Sequence, residues 1–183
     1  FKDFTPIATL AKTEFVLVVH PAVPARDVRE FLSLAASKPG TVTYASAGNG
    51  SGTHLVAEQF ARATGIRMQH IPYKGSGPLI NDLLSGQVQA SFQTPAVATQ
   101  FVQSRRLRAL LVTGSERMPA FPDVPNAAEA GLSDFDVTNW FGVVGPAGIP
   151  SAIVSKLAEA VAAAASQPDL RDKLLAMSLQ PYS

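Results

Sequence analysis

The chain has 183 residues, 46% of them hydrophobic, with 15 Lys and Arg against 14 Asp and Glu and a formal net charge of +1. That apolar share excludes a disordered chain, and the balanced charge, with no long run of either sign, excludes the basic footprint of a nucleic-acid binder. Cysteine is absent, which excludes disulfides, thiolate zinc sites and cysteine nucleophiles and suits an oxidising or extracytoplasmic compartment.

In chain order, Phe15 to Val19 is short, apolar and β-branched and predicts a buried strand. Val28 to Ala36 carries apolar residues at helical spacing and stops at Lys38-Pro39-Gly40; Thr41 to Ala45 then predicts a strand. Thr53 to Thr64 predicts an amphipathic helix with Gly65 at its C-terminal cap. The beat repeats as strand Arg67 to Tyr73, helix Pro78 to Leu84, strand Val88 to Phe92, helix Ala96 to Ser104 and strand Leu107 to Thr113. Met118 to Pro125 is a proline-rich loop, followed by a short helix over Ala127 to Ala130 and an extended run, Phe135 to Val144. Ser151 is expected to cap an alanine-rich helix reaching Ser166, and Pro168 opens a last helix, Asp169 to Met177. Strands alternating with helices of about ten residues imply βαβ units, an α/β class and a largely parallel sheet. No apolar run reaches the roughly 20 residues of a membrane span. The chain begins at Phe1 without a signal peptide, so its start is expected to be internal to a longer precursor.

The stretch YASAGNGSGTH, residues 44–54, puts Gly48, Gly50 and Gly52 between a predicted strand and a predicted helix. Such a turn lets backbone N–H groups converge on an anion. A dinucleotide fingerprint fails, because the spacing is G-x-G-x-G and residues 66–76 hold no acidic residue; a P-loop fails for want of a Lys-Ser or Lys-Thr pair. A nucleophile elbow around Ser51 is broken by Asn49 and Thr53, where glycines belong. His54 and Glu58 share a helix face, but two ligands do not make a metal site, so no metal and no cofactor is expected. Two readings remain for the turn: a carboxylate held by helix-start amides with the hydroxyls of Ser46, Ser51 and Thr53, or a tight βα connection and nothing more.

Beyond that loop, Ser46-Ala47-Gly48-Asn49-Gly50-Ser51-Gly52-Thr53-His54-Leu55 with Ile71-Pro72-Tyr73-Lys74-Gly75 resembles the Bug-type solute-binding proteins, the extracytoplasmic receptors of tripartite tricarboxylate transporters. Asp82-Leu83-Leu84-Ser85-Gly86, Leu107-Arg108-Ala109-Leu110, the run from Phe121 to Gly131, Trp140-Phe141-Gly142 and Pro146 to Pro150 extend the resemblance, in order, over nearly the whole chain. Asn126 stands where the family usually has Thr, in a loop not expected to affect binding. The resemblance implies a two-lobed, type II periplasmic-binding-protein fold, a periplasmic location, and a receptor that delivers a small mono- or dicarboxylate to membrane subunits of a tripartite transporter. It implies an N-terminally truncated chain: residues 17–138 form the ligand-binding lobe, while 1–16 and 139–183 are hinge and an incomplete first lobe whose apolar surface could drive self-association. Ligand contacts are implied at Ala47, Gly48, Asn49, Gly50, Ser51, Gly52, Thr53, His54, Tyr73, Lys74, Gly75, Ser76, Gln93 and Thr94. Trp140 is expected to pack at a hinge, and Arg105, Arg106 and Arg108 to form a solvated helix end. No catalytic residue is implied; the alternative from the enzyme class is a serine-dependent hydrolase using Ser51.

Overall fold

The structure, a computed structural model, describes residues 2–133 and 135–182. The elements in chain order are β1 (Phe4–Glu14), β2 (Val16–Val19), α1 (Val28–Ser37), β3 (Thr43–Ser46), α2 (Gly52–Thr64), β4 (Gln69–Pro72), α3 (Ser76–Leu84), β5 (Ala90–Gln93), α4 (Pro95–Gln103), β6 (Arg108–Val112), β7 (Thr138–Pro146), α5 (Ser151–Ala165), α6 (Pro168–Ala176) and β8 (Gln180–Pro181). The chain divides into two compact units, one of residues 14–138 and one of residues 1–13 with 139–183.

The larger unit carries a five-stranded sheet in the order β4-β3-β5-β2-β6. β3 runs parallel to β4 and β5, while β2 runs antiparallel to both β5 and β6. Four strands therefore share a direction, and β2 is the reversed one. β2 is an unbroken apolar run because the sheet is covered on both faces. Leu17 and Val19 point into a core with Phe31 and Ala35 of α1 and Val56 and Phe60 of α2, whereas Val16 and Val18 pack with Leu79 and Leu83 of α3 and Ala98 of α4. On the first face Phe60 sits 5.4 Å from Phe92 and 5.5 Å from Phe135, ring centre to ring centre, in the tilted arrangements aromatic pairs favour.

Three local expectations are corrected. Residues 127–130 form a single turn rather than a helix. Asn126 and Glu129 close it as a capping box, with Glu129 N–H donating to Asn126 Oδ1 (2.8 Å) and Asn126 N–H to Glu129 Oε2 (3.0 Å). Arg108 is no solvated residue, since its Nη1 donates to the carbonyl of Ala25 at 2.7 Å and ties down the loop after β2. Ser151 is the first residue of α5, and Pro150, which has no side-chain donor or acceptor, occupies the cap position.

The smaller unit holds a three-stranded sheet, order β7-β1-β8, with α5 and α6. β1, eleven residues long, has no counterpart in the sequence-based elements, because FTPIATLAKTE interleaves threonine, proline and lysine and lacks a clean apolar alternation. Its pairing with β8, Ala11 opposite Pro181, is a contact between residues some 170 positions apart that no local pattern encodes. Trp140, in β7, is 63% exposed and not packed at a hinge.

Candidate functional site

β4, β3 and β5 lie side by side and parallel, so their carboxyl ends, at Pro72, Ser46 and Gln93, fall along one edge of the sheet. Each is followed at once by a loop and the N-terminus of a helix: α3 after Tyr73-Lys74-Gly75, α2 after residues 47–51, and α4 after Thr94. Open α/β sheets place ligands at this edge. Three helix N-termini side by side also give it a positive field, about 0.3–1 kcal/mol each for a nearby anion.

The glycine loop is held by its own side chains. Ser51 caps α2, and its hydroxyl donates to the Gly48 carbonyl at 2.7 Å. Thr53 Oγ1 accepts the Ala47 N–H at 2.9 Å and lies 3.0 Å from Ser51 Oγ. Ser46, fully buried, contacts both the N–H and the carbonyl of Gly48 through its hydroxyl. The neighbouring loop is tied in by Tyr73 N–H to the Ser46 carbonyl (2.9 Å) and Gly75 N–H to the Ala47 carbonyl (3.1 Å). Gly48, at φ +137°, needs glycine on two counts, since a β-carbon there would also sit 3.3 Å from the Tyr73 carbonyl. Gly50 needs it for its left-handed φ of +76° alone.

The hydroxyls of Ser46, Ser51 and Thr53 thus bond within the loop instead of standing free for a ligand. Of the amides from Gly50 to Thr53, that of Gly50 donates to His54 Nδ1 (3.0 Å) and that of Ser51 to the Gly48 carbonyl (3.1 Å). The N–H groups of Gly52 and Thr53 find no acceptor among the described residues, and the same holds for Ser76 and Gly77 at the start of α3. These four amides are available as donors. Asn49 and Lys74 are exposed, and Lys74 makes no ion pair among the described residues. Thr94 caps α4 without engaging its hydroxyl in that cap.

Other expected contacts face inward. Gln93 is 1% exposed and its Nε2 donates to Ser91 Oγ at 2.7 Å. The Tyr73 hydroxyl donates to Asp82 Oδ2 at 2.7 Å; burial first, then this carboxylate, push its pKa up to about 12. Among the described residues the Ser51 hydroxyl meets the Gly48 carbonyl, Thr53 Oγ1 and the His54 N–H and no histidine ring, so the geometry gives a hydrolase no support.

Sequence reasoning missed a column of side chains behind the loop. The His54 ring stacks on His70 (4.1 Å between centres), and His70 on Tyr44 (4.9 Å). Tyr44, 2% exposed, donates its hydroxyl to Glu58 at 2.5 Å, and burial, then Glu58, raise its pKa. His70 Nε2 lies 2.6 Å from Ser46 Oγ. Burial, then His54, lower the His70 pKa, while Glu58 opposes them. The column depends on the register that sets Tyr44 opposite His70, which the sequence does not encode locally.

Comparison with known proteins places this arrangement in a family. The chain is 35% identical over 180 residues to the UPF0065 protein in the tcbD-tcbE intergenic region of Pseudomonas sp. (strain P51), a match covering 98% of this chain and 54% of that one. It is 35% identical over 153 residues to Protein BugT of Bordetella pertussis, covering 84% and 47%. Among solved structures, an R. palustris protein with adipate superposes with a TM-score of 0.90 at 32% identity, covering 98% of this chain and 60% of that one. MatC from Rhodopseudomonas palustris with bound malate gives 0.90 at 33%, covering 97% and 60%. The chain thus spans about half the length of such curated relatives. Residues 1–183 match throughout the family described as the tripartite tricarboxylate transporter family receptor, and to that family this chain belongs.

Proposed function

We propose that this chain is the ligand-binding part of a periplasmic receptor that captures a small mono- or dicarboxylate and passes it to the membrane subunits of a tripartite transporter. The observation that carries the reading is the row of three helix N-termini on adjacent parallel strands, with the Gly52 and Thr53 amides free to bind an anion. Carboxylates in the solved relatives, adipate in one and malate in another, support the chemistry. The unit of residues 14–138 supplies the binding face, and residues 1–13 with 139–183 form part of the family's other lobe. Within that face the Gly52 and Thr53 amides, Lys74, Ser76 and the Thr94 hydroxyl touch the ligand. His54, Tyr73 and Gln93 stand behind them. The protein binds and releases without chemistry.

Calorimetric titration with a panel of aliphatic carboxylates including adipate and malate tests the reading. Saturable binding of at least one member is expected, weakened about threefold or more by Thr94→Val, which keeps the shape and deletes one hydrogen bond. Failure of every carboxylate, alongside an esterase activity abolished by Ser51→Ala, would reverse the assignment.

A further inference from the structure

Both histidines behind the glycine loop hydrogen-bond to the loop or to Ser46 beneath it, and the bond of His54 depends on its protonation. His54 Nδ1 accepts the Gly50 N–H at 3.0 Å, so that nitrogen must be bare, and a proton there would set two donors against each other. Ser46 Oγ has one hydrogen and two lone pairs. It meets the Gly48 carbonyl, the Gly48 N–H and His70 Nε2 at 3.1, 3.2 and 2.6 Å. All three contacts are satisfied together when the hydroxyl donates to the carbonyl and His70 donates from Nε2. The two imidazoles stack at 4.1 Å, where a second positive charge meets the first with little water between.

We infer that His54 and His70 are positioning residues for the ligand loop, and that the loop keeps its binding geometry only while His54, the acceptor of the Gly50 N–H, is neutral. The groups facing His70 are Glu58 and His54 from α2, Tyr44 from β3 and the Ser46 hydroxyl at the end of β3. Glu58 favours charge, but its Oε1 is engaged by the Tyr44 hydroxyl. Burial, followed by His54, holds His70 below the ordinary imidazole value of 6.5. A pKa lowered by folding leaves the neutral arrangement intact above that value, and the arrangement loses stability as pH falls below it.

The sign of the effect separates this role from direct ligand contact, and its consequence for affinity rests on the carboxylate-receptor reading. A histidine touching a carboxylate would tighten binding as it gained charge. Histidines that hold the loop by accepting or orienting hydrogen bonds loosen it.

Two measurements on the ligand-free and adipate-loaded chain test this. In the ligand-free protein the Gly50 amide resonance, followed by NMR between about pH 7.5 and about pH 5.5, is expected to move with the His54 ring signals. A Gly50 amide that stays still while the His54 ring signals move overturns the inference. With adipate, whose carboxylates stay ionised over most of that range, affinity is expected to fall by about tenfold on acidification. Tightening, or no change, overturns it. His54→Asn keeps an acceptor oxygen near the Nδ1 position and His70→Gln keeps an amide donor near Nε2, and neither titrates. Whatever its affinity at neutral pH, the double variant should lose the acid-dependent ratio to within about twofold; a ratio left intact also overturns the inference. If no carboxylate binds at any pH while Gly50 still follows His54, the receptor reading fails and the positioning role stands.

Discussion

Tyr73 shows how a residue flagged by a loop motif can brace the loop through its own hydrogen bond. Its hydroxyl is taken by Asp82 on α3, which joins the strand end to the helix that follows it. Tyr73→Phe should cost about 1 kcal/mol in urea unfolding at neutral pH, the size of one side-chain hydrogen bond, and leave the ring's packing in place. The same bond has an alkaline signature. Folding raises the Tyr73 pKa from 10.0 to about 12, so the native state holds its proton longer than the unfolded chain does. Stability is then full below 10.0 and falls as pH rises toward 12, and Tyr73→Phe should make that fall shallower. Denaturant midpoints measured across that range decide it; an unchanged slope would mean the phenol is not protected. The glycines are legible in part. Spacing alone marks Gly48 and Gly50, but only the structure separates a close backbone approach at Gly48 from a conformational need at Gly50.

At the scale of elements, the turn of residues 126–132 carries more than its sequence suggests. Asn126, 7% exposed, accepts the Glu129 N–H and does one thing more: its Nδ2 donates to the Ser115 carbonyl at 3.0 Å. That amide joins the segment just after β6 to the residue that follows the proline-rich loop. Asn126→Thr should keep the cap, lose the Ser115 bond and cost about 1 kcal/mol. Asn126→Ala should lose both, for about 2 kcal/mol. Equal losses for the two variants, read from chemical denaturation, would show that the Ser115 bond contributes nothing. The single turn also explains the helix that residues 127–130 do not form. The caps are local and readable, but Gly131 at φ +82° ends the turn before a second can begin.

On the scale of the molecule the two units differ in how well they cover their apolar surface. β2 is wholly buried, whereas the smaller unit exposes Trp140 at 63%, Phe4 at 59%, Val144 at 52% and Ile153 at 49%. Apolar side chains gathered in one unit in this way mark a surface that prefers company. We expect the chain to self-associate through this unit, with sedimentation velocity showing mass rising over the micromolar range. A Trp140→Lys, Ile153→Lys double variant should stay monomeric at the same concentrations. A wild-type chain that is monomeric throughout would contradict this, as would a double variant that associates unchanged.

The sequence by itself determined the α/β class, the order of strands and helices from β2 to β6, and the glycine turn at a strand-to-helix junction, because each depends on apolar periodicity and turn chemistry within some fifteen residues. Only the tertiary structure decided that β2 runs against its neighbours, that β1 and β8 pair across the chain, and that Tyr44, His54 and His70 stack behind the loop. It also decided which loop amides remain free. Those outcomes depend on register between strands far apart in sequence, and a hydrogen-bond donor is taken or left open according to what the register brings beside it.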